Sequence, residues 1–78
     1  MFESKEELLM AIQRCLPYAD QIQKLDFSTS SNSISFVWRC EHFKIDLSGQ
    51  VGVIDDGCIV YSSICIIFRE LLRREWLK

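Results

Sequence analysis

Residues 34–47 read ISFVWRCEHFKIDL, with an apolar side chain at nearly every second position. Because side chains alternate between the two faces of a β-strand, this pattern predicts two strands that each have one apolar face. The apolar positions change from even to odd across Glu41-His42, which predicts a two-residue turn there, or a looser four-residue loop in the same register. The predicted pairs of the antiparallel hairpin are Cys40 with Phe43, Trp38 with Ile45 and Phe36 with Leu47.

A shorter alternating pattern precedes this hairpin. Leu25 and Phe27 come before a polar turn over residues 29–32, which predicts an additional strand whose side chains extend the same apolar face. Residues 18–24 fit either a helix or a strand, and we favour a turn that leads into the strand. The predicted pairs are Phe27 with Ile34 and Leu25 with Phe36.

Two more short strands are predicted after the hairpin. Asp55-Asp56-Gly57 is a turn signal, and it separates the apolar segments 51–54 and 58–61. We expect these segments to be short strands, with an edge of the sheet as one place for them.

A helix is predicted near the N-terminal end. Ser4 followed by Glu7 has the spacing of a capping box, in which each side chain accepts a hydrogen bond from a backbone N–H of the first turn. Apolar side chains then recur at helical intervals until Pro17, so the helix should span about residues 5–16.

A second helix is predicted at the C-terminal end, where Ser62 or Ser63 can cap it. The predicted fold is therefore a single α+β domain over residues 1–78, with an antiparallel meander of three to five strands between two helices. Both helices should cover the same face of the sheet. The apolar residues of the second helix are Ile64, Ile67, Phe68, Leu71, Leu72 and Trp76.

The composition limits the class of protein. The chain has 78 residues, a formal net charge of −2 and a sequence pI near 5.2, whereas a strongly basic nucleic-acid-binding domain has a pI above about 9. Its N-terminal residues are acidic, unlike a signal peptide, and no apolar run reaches the length of about 18 residues that a membrane-spanning helix needs. We therefore expect a cytoplasmic protein with reduced cysteines and no membrane partner.

The four cysteines and the single histidine are the candidate metal ligands of the sequence. Structural zinc sites use short pairs such as Cys-x2-Cys, and the chain contains none. Cys15, Cys40 and Cys65 fall on apolar faces, where a free cysteine packs as a small apolar side chain. We expect no metal and no cofactor, and the alternative is a metal-linked sensor that uses Cys40, His42 and Cys58.

Catalytic patterns are weak in this sequence. His42 follows Glu41 in a predicted turn, and adjacent turn residues rarely converge on one substrate atom. Asp55-Asp56 precedes a glycine, which favours a structural turn over a catalytic carboxylate pair. Glycine-rich dinucleotide and phosphate-binding motifs are absent, so we expect a protein that is not an enzyme.

Nucleic-acid binding is the main alternative function. In the predicted register Arg39 lies opposite Lys44 on the polar sheet face, but the aromatic side chains of the meander lie on the other face, so a base-stacking surface is missing. The basic residues available for this alternative are Lys24, Arg39, Lys44, Arg69, Arg73 and Arg74.

Protein association is the function that the sequence favours. A domain this short has a thin stability margin. Ile66, Trp76 and the short strands supply more apolar surface than one small core can bury. We therefore expect a homodimeric interaction module that acts as a small adaptor or regulator of another protein. The predicted contact residues are Phe68, Leu72 and Trp76, with Val51, Val53 and Tyr61 at a strand edge.

Overall fold

The computed structural model describes residues 2–16, 19–28 and 32–77, and it confirms the α+β fold with an N-terminal helix, an antiparallel meander and a C-terminal helix. All five strands belong to one sheet, in the order β1-β2-β3-β4-β5. A short 3-10 turn at Ala19–Gln21 leads into β1, while Tyr18 and residues 29–31 lie outside the described residues. The elements are α1 (Lys5–Cys15), β1 (Gln23–Ser28), β2 (Ser33–Trp38), β3 (Glu41–Asp46), β4 (Val51–Asp55), β5 (Cys58–Val60) and α2 (Ser63–Trp76).

The first helix begins at the predicted cap. The backbone N–H of Glu7 donates to the Ser4 hydroxyl at 3.1 Å, and the Glu7 carboxylate accepts the N–H of Glu3 at 3.0 Å. The first bond satisfies a donor that the first helical turn leaves without an intrahelical partner, and the second ties the residue before the Ser4 cap to the helix. The Glu7 side chain thus reaches one residue further back than in a standard capping box.

The turn between β2 and β3 differs from the prediction. Arg39 and Cys40 form it, with φ angles of 53° and 65°, so Trp38 pairs with Glu41 and Phe36 pairs with Phe43. Two-residue hairpin turns favour positive φ at both central positions because this geometry matches the twist of the strands. The Arg39 guanidinium also lies 4.7 Å from the centre of the Trp38 ring, a cation–π contact that holds the turn.

The predicted register of this hairpin is therefore wrong, although its faces are right. Phe36 pairs four residues earlier than predicted, and a shift by an even number keeps every side chain on the same face. Cys40 is the exception because it lies in the turn, where it is exposed instead of packed in the core.

Strand β1 confirms one predicted pair and corrects the other. Phe27 lies opposite Ile34 as predicted, but the ladder shifts between Gln23 and Asp26, and Leu25 has no partner in it. Leu25 and Phe27 are both exposed, so the apolar face does not continue to this edge of the sheet.

One core fills the space between the sheet and the helices. α1 contacts β2, α2 contacts β4 and the two helices contact each other, as expected if both helices cover the same sheet face. The Phe43 ring is central because it lies 5.6 Å from the Phe36 ring and 5.8 Å from the Phe68 ring of α2. The buried core residues of the strands and helices are Leu8, Ala11, Ile12, Ile34, Phe36, Trp38, Phe43, Ile45, Val51, Cys65, Phe68 and Leu72.

The two helix caps give a matched stability test. Ser4→Ala removes the hydroxyl that accepts the Glu7 N–H, so we expect it to lower the free energy of unfolding by about 1 kcal/mol. Ser62→Ala is the control, since the Ser62 hydroxyl makes no hydrogen bond to the backbone of α2 and only a weak one with Cys65 Sγ at 3.6 Å, so its loss should cost less. Urea denaturation would measure both variants, and an equal loss of stability in the two would contradict the role of the Ser4 cap.

Candidate interaction surface

The structure divides the predicted contact residues into two groups. Phe68 is 3% exposed, and Leu72 and Val51 are also buried, so these side chains belong to the core and offer no surface to a partner. The reason is helical spacing, because Cys65, Phe68 and Leu72 share the side of α2 that faces the sheet. Phe68, Leu72 and Val51 are therefore core residues and not the contact residues that the sequence predicted.

The remaining three predicted residues differ in exposure. Val53 is partly buried against the core, whereas Trp76 is 46% and Tyr61 62% exposed. Trp76 and Tyr61 can therefore contact another molecule without a change in the fold.

Tyr61 belongs to a contiguous apolar surface, which we call the edge patch and define as Ile59, Tyr61 and Ile66. A Cβ atom placed on Gly52 would lie 2.6 Å from Ile59 Cγ2 and 3.6 Å from Tyr61 Cε1, so both side chains extend over this glycine. Tyr61 and Ile66 in turn line one shallow groove. The edge patch thus runs from the sheet, past the end of β5, to α2.

The two edges of the sheet differ in how they resist pairing with another strand. Edge strands are commonly protected by charged side chains and by bulges that interrupt the ladder. β1 has both, since Lys24 and Asp26 lie within it and Lys24 has a φ of 52° where the register shifts. β5 contains only Cys58, Ile59 and Val60, all exposed and uncharged, so the described part of this edge lacks such protection.

The basic residues do not form one surface. Lys44 pairs with Ser35 and with Gly52 and not with Arg39, which lies over Trp38 in the β2–β3 turn. The predicted Arg39–Lys44 pair is wrong because the turn lies two residues earlier than expected. Lys24 is on the edge strand β1, while Arg69, Arg73 and Arg74 are on α2.

The three residues of the metal-sensor alternative lie in three different elements of the fold. Cys40 lies in the β2–β3 turn, His42 is exposed on β3 and Cys58 begins β5. Within residues 2–16, 19–28 and 32–77, no three His, Cys, Asp or Glu side chains are grouped as they would have to be to hold a metal ion.

Comparisons with protein-family models, with curated proteins and with solved structures find no match for this chain. In the part of the chain that the structure describes, no helix combines the length and apolar character needed to cross a membrane.

The contact of Gly52 with the edge patch predicts an unusual response to substitution. A glycine inside a strand normally weakens it, so alanine would be expected to stabilise the sheet. Here Gly52→Ala places a methyl group against Ile59, and we expect it to lower the free energy of unfolding by about 1 kcal/mol.

A double-mutant cycle tests this contact. Ile59→Ala removes the obstructing methyl group, so Gly52→Ala should cost little in that background. Stabilisation by Gly52→Ala alone, or an equal cost in both backgrounds, would contradict the contact. Thermal or urea unfolding of the four proteins supplies the measurement.

Proposed function

We propose that this chain is a non-catalytic protein–protein interaction module that forms a homodimer through the β5 edge and the edge patch. In this role it acts as a small adaptor or regulator of another protein. The observation that carries the proposal is the unprotected β5 edge, flanked by exposed apolar side chains of the edge patch.

A second copy fits this edge for geometric reasons. An antiparallel pair of β5 strands joins two five-stranded sheets into one and gives the unpaired backbone groups of each β5 a partner. In a two-fold symmetric contact each edge patch also meets the other copy, because both subunits use the same surface.

The exposed apolar area gives such a contact a driving force. Ile66 is 66% and Ile59 48% exposed, and Tyr61 adds an aromatic ring of the kind enriched in interfaces. Fully burying a large apolar side chain contributes roughly 1.5–3 kcal/mol, and these three residues gain a part of that amount in each subunit.

The non-catalytic part of the proposal is supported by where the acidic side chains lie. Asp55 ends β4, and Asp56 and Gly57 form the β4–β5 turn with φ angles of 52° and 79°. Aspartate and glycine tolerate this left-handed geometry better than most residues, which accounts for the Asp-Asp-Gly sequence without a catalytic role.

Two neighbouring isoleucines of α2 provide the test. Ile66 belongs to the edge patch, whereas Ile67 is outside it and has a similar exposure of 61%. We expect Ile66→Glu to weaken self-association at least about tenfold, because a charge buried in an apolar contact without a partner is costly. Ile67→Glu should change the dissociation constant by less than about threefold. Sedimentation equilibrium measures both.

The same experiment can reject the proposal. If the unchanged protein is a monomer at all accessible concentrations, the homodimer is ruled out. If the dimer forms and Ile67→Glu weakens it as much as Ile66→Glu, the contact lies elsewhere. Circular dichroism would establish that both variants keep the native fold.

A further inference from the structure

A second surface feature lies beside α2, at the loop that joins β3 to β4. A cavity of about 200 Å³ is lined by Phe2, Ser48, Gly49, Arg69, Arg73 and Trp76, and we call it the basic cavity. Its residues come from three separate parts of the chain.

The charge of the basic cavity is positive. Arg69 and Arg73 are one helical turn apart on α2, so both can face the same space, and the described residues that line the cavity include no acidic side chain. Within the described residues neither arginine forms an ion pair, whereas Arg14 does with Glu75. The two guanidinium groups therefore remain available to an anion.

The Asp46 carboxylate, at the start of the loop, is hydrogen-bonded to groups of the same loop. Asp46 Oδ1 accepts hydrogen bonds from the Ser48 N–H at 3.0 Å, the Ser48 hydroxyl at 2.6 Å and the Gln50 N–H at 3.0 Å. These bonds fix the loop, and the Gly49 N–H donates to the Asp46 carbonyl at 3.0 Å. The loop side of the cavity is thus ordered before any ligand binds, which reduces the entropic cost of binding.

The other walls of the cavity are aromatic. Phe2 is buried, and its N–H donates to the Leu47 carbonyl at 2.8 Å, which holds it beside the loop. Trp76 leaves nearly half of its side chain exposed, so part of the indole ring is open to a ligand. A planar group can stack on such a ring.

We propose that the basic cavity binds a small phosphate monoester carried on an aromatic ring. The phosphate would lie between Arg69 and Arg73, and the ring would lie against Trp76. A phosphate monoester carries a charge of about −1.5 to −2 at pH 7, which matches two guanidinium groups better than a single carboxylate does. Arginine also binds phosphate oxygens through two parallel hydrogen bonds.

This site does not depend on the homodimer. Of its six described lining residues, five lie outside the groove beside the edge patch and Arg69 borders both. Arg73 is therefore the residue to change, since its loss should affect the ligand and leave self-association intact.

The test is an NMR titration of the full chain with phenyl phosphate, followed at the Trp76 indole N–H. Inorganic phosphate and phenol serve as probes of the two halves of the ligand. We expect saturable binding of phenyl phosphate, at least about tenfold tighter than inorganic phosphate, and no saturable binding of phenol.

Matched arginine variants identify the site. Arg73→Gln should weaken phenyl phosphate binding at least about tenfold, and Arg69→Lys should weaken it too because it keeps the charge but loses the paired hydrogen bonds. Arg74→Gln is the control, since Arg74 is exposed on the same helix but does not line the cavity, and it should change the affinity by less than about twofold.

Three results would overturn the proposal. The first is the absence of a saturable shift at Trp76 with phenyl phosphate. The second is an equal loss of affinity in Arg73→Gln and Arg74→Gln, which would indicate attraction by overall charge. The third is equal affinity for phenyl phosphate and inorganic phosphate, which would show that the aromatic ring adds nothing to binding. Diffusion measurements on the same samples report self-association separately.

Discussion

The stacking of Phe36 on Phe43 is the contact on which the rest of this small fold depends. The two rings are 5.6 Å apart and fully buried at the centre of the sheet, and Phe43 also lies against Trp38 and against Phe68 of α2. This pairing requires the chain to turn at Arg39 and Cys40, which adopt left-handed backbone angles that cost of order 1 kcal/mol or more each. Burial of the aromatic side chains, together with the Arg39–Trp38 contact, offsets that cost.

A core built around the central strands leaves the outer ones thinly covered. β2 and β3 bury the apolar side chains of the face that packs on the helices, while Val37 of β2 is only partly buried, and β1 and β5 expose their apolar side chains. β1 is protected by its bulge and its charges, and β5 is not. Among the described strands, β5 is therefore the edge at which we propose association.

Much of the fold could be predicted from the sequence, because alternation and capping are local signals. Alternation predicts which side chains share a face, and Ser4 with Glu7 predicts where α1 begins. The register could not be predicted this way, since shifts by an even number of residues preserve the faces. Arg39-Cys40 also lacks the Asn-Gly or Asp-Gly sequence that usually identifies such a turn.

The surface was harder to predict than the fold. The apolar run from Ile64 to Phe68 covers so much of the helix that periodicity alone does not show which side faces the sheet, which is why the predicted contact surface includes the buried Phe68. Tyr61 was among the predicted contact residues. The basic cavity was missed, because Phe2 and Gly49 approach Arg73 only through the tertiary fold.

The most direct test of the central claim is amide hydrogen exchange at the two sheet edges, compared at protein concentrations about 100-fold apart. If a second copy pairs with β5, exchange in Cys58–Val60 should slow at the higher concentration, while exchange in Gln23–Ser28 should not change. Equal rates in β5 at both concentrations, in a sample that sedimentation shows to have become dimeric, would contradict the account.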